Sequence, residues 1–207
     1  MSETHETTDT YNQTASYFAT RWHAADVPAM AEARQRLVTW LTKEALVLDV
    51  GCGTGRDTAR FHDLGFQVCG LDRSGGMLTE ARQHNPSLPS ILGGMYNLPV
   101  GNNSLDASWA CASFLHIPRH NNLSVLQEFR QVLQRGGLCY MCVKRGQGER
   151  GVKNDSGLRR FFAFDSEPEL ETLLQKGGFI ILECWTGNDH WGQPEPWLHC
   201  LAKKADP

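Results

Sequence analysis

Short apolar runs alternate with amphipathic segments along most of this 207-residue chain. Short runs are typical of buried strands, and apolar residues with helical spacing are typical of helices. Strands are predicted near 46–50, 67–71, 89–92, 106–112, 138–144, 179–185 and 197–203, and helices near 55–64, 75–84, 121–135 and 167–177. An earlier helix is predicted to start at Asp26 and to run through Leu41. Because strands and helices alternate, the pattern predicts an α/β fold with a parallel sheet.

Residues of particular conformational preference mark the ends of these helices. The predicted caps are Ser74 and Ser166 (with Glu169) at N-termini, and Gly65, Gly136 and Gly177 at C-termini. Residues 1–25 are polar, with interspersed aromatic side chains, and residues 145–164, rich in glycine, arginine and lysine, are the one segment with no clear period. We expect the first to form an arm or lid and the second to form a flap on the substrate side of a site.

One strand runs directly into a glycine-rich turn. The buried-strand pattern at 47–50 is followed by Gly51, Gly53 and Gly55, and an isolated acid, Asp72, ends the next apolar run. Glycines let a backbone turn sharply and approach a ligand closely, and a carboxylate about twenty residues further on can accept the hydroxyls of a ribose. The combination predicts a nucleoside pocket.

The glycine spacing restricts which nucleoside binds. A dinucleotide fingerprint G-x-G-x-x-G would need glycine at position 56, but the chain has Arg56 there. A phosphate-binding loop would need lysine and a hydroxyl residue after its last glycine, and neither follows. NAD and nucleoside triphosphates are therefore disfavoured.

The turn resembles the first motif of the class I S-adenosylmethionine-dependent methyltransferases, an apolar strand with an aspartate followed by G-x-G-x-G. The matching positions are Asp49, Gly51, Gly53 and Gly55. Residues 72–82 are similar to the family's D-x-S-x-x-M-L-x-x-A-R helix start, and 128–137 to its E-x-x-R-V-L-x-P-G-G turn, with Arg135 in place of proline. The chain is most like the small bacterial, tellurite-resistance-like group. The resemblance implies a three-layer Rossmann-like fold, with a seven-stranded, mostly parallel sheet whose last strand is antiparallel, and S-adenosyl-L-methionine as cofactor.

The resemblance also implies the cofactor contacts. The cofactor-binding residues expected from it are Arg21, Asp49, Gly51, Cys52, Gly53, Asp72, Arg73, Met95, Tyr96 and Cys111. Asp72 is expected to hold the ribose, and Arg21 of the arm to reach the cofactor carboxylate. Gly94 stands where the family usually has an aspartate, so Met95 and Tyr96 are expected to supply the adenine contacts instead.

Methyl transfer from a sulfonium is an in-line displacement, so the protein mainly aligns the reactants and excludes water. An amine or alcohol acceptor must also lose a proton, and His116, just past the fourth strand, is the candidate for that role. Its alternative role is a structural histidine hydrogen-bonded to its loop. Tyr11 and Tyr17 in the arm are further candidates at the reaction centre; alternatively they pack the arm onto the domain.

The flap carries the candidates for acceptor binding. Arg145 and Arg160 are expected to bind an anionic or carboxylate-bearing acceptor, although a basic run is also typical of a solvated loop. Aromatic side chains that can wall the acceptor, or else pack in the core, are Phe161, Phe162, Phe164, Trp191 and Trp197.

The composition fits one domain covering residues 1–207, with 41% hydrophobic and 21% charged residues. A net charge of −3 gives no electrostatic reason to expect nucleic acid.

No apolar run approaches the length of a membrane span, and the first residues are unlike a signal peptide, so a cytoplasmic location is expected. The expected partner is a small-molecule methyl acceptor. The oligomeric state is not predicted.

The seven cysteines all fall in predicted strands or at their ends, where most are expected to be small buried apolar residues. Cys139 and Cys142 have an odd offset along one strand, so their side chains point to opposite faces. Pro118 interrupts any helix that would align His116 with His120. No metal site is predicted.

Two other functions are weighed: a non-catalytic S-adenosylmethionine-binding module and, less favoured, an NAD(P)-binding oxidoreductase.

Overall fold

The computed structural model describes residues 3–23, 28–154, 157–187 and 196–206. Its strands are β1 (Leu46–Val50), β2 (Gln67–Asp72), β3 (Ser90–Leu92), β4 (Leu105–Cys111), β5 (Leu133–Lys144), β6 (Glu149–Lys153), β7 (Arg159–Ala163), β8 (Phe179–Gly187) and β9 (Trp197–Lys204). Its helices are α1 (Glu3–Trp22), α2 (Pro28–Val38), α3 (Arg56–Asp63), α4 (Gly75–His84), α5 (Asn122–Val132) and α6 (Glu167–Lys176).

Seven of these strands form one sheet in the order β3-β2-β1-β4-β5-β9-β8. The pairs among β1 to β5 are parallel, whereas β9 runs antiparallel between β5 and β8. Helices flank the sheet, which confirms the predicted fold class, including the antiparallel last strand. The strand order reverses between β1 and β4, and in open α/β sheets such a switch point opens a crevice at the carboxyl ends of the strands.

Most helix ends follow the predicted caps. The Ser74 hydroxyl accepts a hydrogen bond from the Met77 N–H at 3.1 Å, and Ser166 with Glu169 forms the predicted capping box. The α2 helix ends at Val38, short of the predicted Leu41, and Asp26 lies outside the described residues.

Two predicted glycine caps need correction. Gly177 is right-handed, and the next residue, Gly178, takes the left-handed conformation with a φ of +83°. Gly136 does have a positive φ, but it lies within β5, where the register with β4 shifts between the pairs of Leu133 and Leu138. The strand therefore begins directly after α5, and α5 is shorter than predicted.

The described parts of the arm and of the flap are also ordered elements. Residues 3–22 form helix α1, and the flap forms the hairpin of β6 and β7. The buried residues of α1 have helical spacing but are small or polar, so the hydrophobic pattern is weak; they are Thr7, Thr10, Thr14, Ala15 and Ala19. The arm of the prediction is thus a helix.

Helix α1 contacts both α4 and β7. The Asn12 side-chain oxygen accepts hydrogen bonds from the Ser74 hydroxyl at 2.7 Å and the Gly76 N–H at 3.0 Å. On the other side, the Thr10 hydroxyl donates to the Arg159 carbonyl oxygen at 2.6 Å. One helix therefore connects the glycine-rich half of the sheet to the hairpin.

The core of the sheet is built on large aromatic residues. Trp109 of β4 and Tyr140 of β5 are fully buried and stack with ring centroids 3.9 Å apart. Cys184 of β8 and Cys200 of β9 are directly paired and form a disulfide, which the sequence did not predict. No helix within the described ranges is long and apolar enough to cross a membrane.

Candidate active site

A cavity of about 500 Å³ opens beside the carboxyl ends of β1, β2 and β4, under α1 and β7. Its size is within the range of small-molecule sites. The sequence-predicted residues that line it are Tyr11, Tyr17, Arg21, Asp49, Gly51, Cys52, Gly53, Asp72, Arg73, Met95, Tyr96, Cys111, His116 and Arg160. Arg145 does not line the cavity; it is exposed, and the structure brings only Arg160 of the predicted acceptor-binding pair to this site.

The glycine-rich turn forms one end of the cavity. Gly51 and Gly53 have φ values of +79° and +55°, which only glycine adopts readily. A Cβ on Gly51 would lie 2.3 Å from Cβ of Ser113, so no side chain fits there. The Cβ position of Gly53 has no protein atom within 4 Å. The turn therefore offers bare backbone to a ligand.

Asp72 is held beside this turn by the backbone. The Gly53 N–H donates to Oδ2 and the Ser74 N–H donates to Oδ1, both at 2.8 Å. Burial raises the pKa of Asp72 above its usual value. A carboxylate oxygen has more than one acceptor site, so each oxygen can still accept a ligand hydroxyl.

Asp49 lies deeper in the same end. Its carboxylate accepts a hydrogen bond from the Thr58 hydroxyl at 2.7 Å. Burial, together with the nearby charge of Asp57, raises the pKa of Asp49 to about 7. The charge of this cavity-lining group therefore changes close to neutral pH.

Asp57 anchors a buried polar cluster at the start of α3. Its carboxylate is 2.6 Å from Arg34 Nη1, 3.0 Å from Arg56 Nη2 and 3.2 Å from Trp109 Nε1. Although burial opposes ionisation, Arg56 and Arg34 hold the pKa of Asp57 below its usual value. Asp57 is therefore the more readily ionised partner of the two, and its charge is one reason that the pKa of Asp49 is raised.

A second cluster lies on the hairpin side of the cavity. His116 Nδ1 is 2.6 Å from the Phe161 carbonyl oxygen. A carbonyl only accepts, so Nδ1 carries the proton and Nε2 accepts from the Tyr11 hydroxyl at 2.8 Å. Arg160 Nη1 donates to the same Tyr11 oxygen at 3.1 Å. Burial, and then the charges of Arg160 and Lys144, lower the pKa of His116 to about 3, so its ring is neutral at neutral pH.

The two arm tyrosines have different surroundings. Tyr11 packs against His116 with ring centroids 5.4 Å apart, whereas Tyr17 is 51% exposed at the mouth of the cavity. The Arg21 guanidinium lies 5.9 Å from the Tyr17 ring centroid. Of the two, only Tyr11 lies in the histidine cluster.

Several cavity-lining residues were not predicted as site residues. These are Thr4, Thr7, Thr8, Thr54, Arg56, Asp57, Ser113, Lys144, Val152 and Asn154, among others. The helical spacing of the threonines on α1 was a signal that could have placed them on one face. Of the five aromatic residues considered for the acceptor wall or the core, Phe162 and Trp197 are buried and line the cavity, and Phe161 and Phe164 are buried without lining it. Trp191 lies outside the described residues.

The described side chains include no cluster of metal-ligand type. Over 3–23, 28–154, 157–187 and 196–206, no three histidine, cysteine, aspartate or glutamate side chains converge on one point. Cys52 and Cys111 line the cavity, but burial and neighbouring groups raise the thiol pKa of each well above its usual value.

Comparison with known proteins agrees with this arrangement. Residues 47–137 match the family described as "Methyltransferase domain". The chain is 30% identical over 122 residues to a ubiquinone/menaquinone biosynthesis C-methyltransferase of Campylobacter jejuni, covering 55% of this chain and 51% of that protein. It is 36% identical over 94 residues to a malonyl-[acyl-carrier protein] O-methyltransferase of Yersinia pestis, covering 45% of this chain and 34% of that protein. The chain thus spans about half the length, or less, of these relatives.

Solved structures share the fold. The 1,6-didemethyltoxoflavin-N1-methyltransferase of Burkholderia thailandensis superposes with a TM-score of 0.75 at 23% identity, covering 100% of this chain and 92% of that one. A methyltransferase from Methanosarcina mazei has a TM-score of 0.76 at 18% identity, covering 83% of this chain and 98% of that one. The fold is that of the class I S-adenosylmethionine-dependent methyltransferases, and residues 47–137 match a methyltransferase domain, in agreement with the resemblance seen in the sequence. S-adenosylmethionine is the methyl donor that defines this family.

Proposed function

We propose that this protein transfers the methyl group of S-adenosylmethionine to a small-molecule acceptor, leaving S-adenosylhomocysteine. One observation carries the proposal: a single cavity has the glycine turn with Asp72 at one end and the cluster of Tyr11, His116 and Arg160 at the other. The first end fits a nucleoside, and the second fits a molecule that must be oriented and deprotonated. By their names, the relatives reported above are a C-methyltransferase of ubiquinone/menaquinone biosynthesis and a malonyl-[acyl-carrier protein] O-methyltransferase, and the first of these supports a small acceptor.

The residues at the glycine end fit the cofactor. Asp72 would accept the ribose hydroxyls, and the bare backbone of Gly51 and Gly53 would face the methionine half. Cys52, Arg73, Met95, Tyr96 and Cys111 complete the predicted cofactor set in the lining. When bound, the cofactor supplies a methyl group on a positively charged sulfur.

Helix α1 supports the predicted lid. It contributes Tyr17 and Arg21 to the cavity, where Arg21 would pair with the cofactor carboxylate, and it also contributes Tyr11 to the histidine cluster. A lid that touches both ends excludes water from the cavity when it is seated.

The histidine cluster supports deprotonation of the acceptor. The Tyr11 oxygen donates its own proton toward His116 Nε2 and keeps a lone pair that can accept the proton of the acceptor. As the acceptor proton moves to Tyr11, the Tyr11 proton moves to His116. Tyr17 has no such partner among the described side chains, so we assign the proton-accepting role to Tyr11 and not to Tyr17.

A binding experiment tests the donor site. Thermal shift and calorimetry should show that S-adenosylhomocysteine binds and that NADH does not. At a ligand concentration about 100 times the dissociation constant, the melting temperature should rise by about 5–10 °C. Asp72→Ala should weaken S-adenosylhomocysteine binding by at least about tenfold, because it removes charge-assisted hydrogen bonds. Asp63→Ala, an exposed carboxylate at the end of α3, is the control.

Stabilisation by NADH instead of S-adenosylhomocysteine would favour the oxidoreductase alternative. Binding of S-adenosylmethionine without turnover across a panel of thiols, amines, phenols and carboxylates would favour the non-catalytic binding module. Formation of S-adenosylhomocysteine with one acceptor class supports the enzyme.

A further inference from the structure

Arg160 is a cation enclosed by aromatic rings. Its guanidinium carbon lies 5.4 Å from the ring centroid of Tyr11, 5.4 Å from that of Phe18 and 5.2 Å from that of Phe162. Nη1 donates to the Tyr11 hydroxyl, while the buried Nε has no hydrogen-bond partner. In the described ranges, no carboxylate lies within ion-pair distance of Arg160. The cation therefore faces the cavity with unused donors.

The neighbouring Arg159, unlike Arg160, has a carboxylate partner. Arg159 points to the other face of β7 and pairs with Glu6 of α1, with Nη1 2.9 Å from Oε2. The strand alternation thus sends one arginine to a protein carboxylate and the next into the cavity. A guanidinium with no carboxylate partner in a partly desolvated site is costly unless a ligand completes it.

The carboxylates of the cavity lie at one end, whereas its cations lie at both. Among the described lining residues, the carboxylates are Asp49, Asp57 and Asp72, all at the glycine end. The hairpin end contains Arg160, Lys144 and Lys153 and no described carboxylate.

Two of these cations share one aromatic ring. Lys144 Nζ lies 5.5 Å from the Phe162 ring centroid, the same ring that Arg160 approaches. Arg160 and Lys144 also act on His116, whose pKa both charges lower. An anion bound beside them would offset the part of this lowering that the two charges cause, and would so favour transfer of the proton relayed through Tyr11 to His116.

We propose that the methyl acceptor is a small planar acid whose carboxylate binds Arg160, while its body packs against Phe162 and Trp197. Trp197 lines the same end of the cavity, with its ring centroid 5.7 Å from Lys144 Nζ. Arginine binds carboxylates through paired hydrogen bonds, and flat aromatic walls select a planar body. This inference rests on the proposed function, because it names the acceptor class for the same reaction.

Matched acids and amides test the inference. Calorimetry on the protein saturated with S-adenosylhomocysteine would compare 4-hydroxybenzoate with 4-hydroxybenzamide, 2-aminobenzoate with 2-aminobenzamide, and 3,4-dihydroxybenzoate with its amide. At least one acid should bind about 10- to 100-fold more tightly than its amide, the range expected for charge-assisted hydrogen bonds. Arg160→Met should remove this preference, and Arg160→Lys should keep part of it.

Arg145→Met is the matched control, since Arg145 is exposed outside the cavity, and it should keep the full preference. Each variant is first checked for unchanged affinity for S-adenosylhomocysteine, which shows that it is folded and that the donor site is intact. Equal binding within every pair, no binding of any acid, or a preference that survives in Arg160→Met would overturn the inference. Those results leave the proposed function standing, whereas loss of donor binding by the wild type would refute the proposed function itself.

Discussion

At the scale of a single residue, Asp49 is expected to link cofactor binding to pH. Burial and the neighbouring charge of Asp57 raise its pKa to about 7, so Asp49 is mostly neutral at pH 6 and mostly ionised at pH 8. The donor carries positive charge, which the ionised form attracts. The dissociation constant for S-adenosylmethionine should therefore fall by about tenfold from pH 6 to pH 8, following the ionised fraction.

Calorimetry across that pH range measures this dependence. Asp49→Asn cannot ionise and should bind with weak affinity that changes little with pH. A wild-type affinity that is flat between pH 6 and pH 8 would show that Asp49 does not act on the donor.

Tyr11 carries the second residue-scale prediction. Its oxygen lies between His116 Nε2 at 2.8 Å and Arg160 Nη1 at 3.1 Å. With an acceptor that must lose a proton, Tyr11→Phe should lower kcat by about 100-fold and change KM much less, the effect expected of a general base. His116→Asn should give a similar loss.

The comparison variant is Tyr17→Phe, which removes a hydroxyl at the exposed cavity mouth and should affect kcat far less. Turnover that persists in both Tyr11→Phe and His116→Asn would mean that the pair only packs α1 onto the domain.

At the scale of elements, the close packing of α1 on α4 depends on Gly76 of α4. A Cβ on Gly76 would lie 2.8 Å from the carbonyl oxygen and 3.0 Å from the Cα of Asn12, so Gly76→Ala must move α1. If the free energy of packing α1 over the cavity then becomes less favourable by about 1.4 kcal/mol, the affinity for S-adenosylhomocysteine falls about tenfold. The melting temperature should fall much less than this loss of affinity would suggest, because alanine favours the helical conformation of α4 more than glycine does.

Gly75→Ala is the matched control for this prediction. Gly75 is the preceding residue of α4, and its Cβ position has no atom within 4 Å. The two variants add the same methyl group to the same helix, so a loss of affinity in Gly76→Ala alone assigns the effect to the contact with α1. Equal affinities in both variants would contradict it.

The elements also show how far the pattern of the chain predicts structure. Strands β1 and β2 lie within a residue of their predicted bounds, since a short apolar run between a helix and a glycine turn has few alternatives. The pattern missed α1, because threonine and alanine form its buried face. It missed the β6–β7 hairpin too, because Gly151 and Arg160 break the apolar alternation there.

For the whole molecule, the site joins parts of the chain that are far apart. Tyr11 meets His116 across 105 residues and Arg160 across 149, while Asp72 lies 19 residues from Gly53. The end proposed for the cofactor is therefore assembled within neighbouring βα units, and the end proposed for the acceptor requires α1, the end of β4 and the hairpin to pack together.

The sequence by itself determined the α/β alternation, the glycine turn and Asp72, because each depends on neighbours along the chain: a strand, a tight turn and a helix start. Only the tertiary structure decided that Tyr11 bonds His116 and that Arg160, not Arg145, reaches the cavity. Which arginine of a hairpin faces a site depends on where the strand pairs and which element covers it. No local preference of the chain specifies either of these, so the acceptor end is defined by packing.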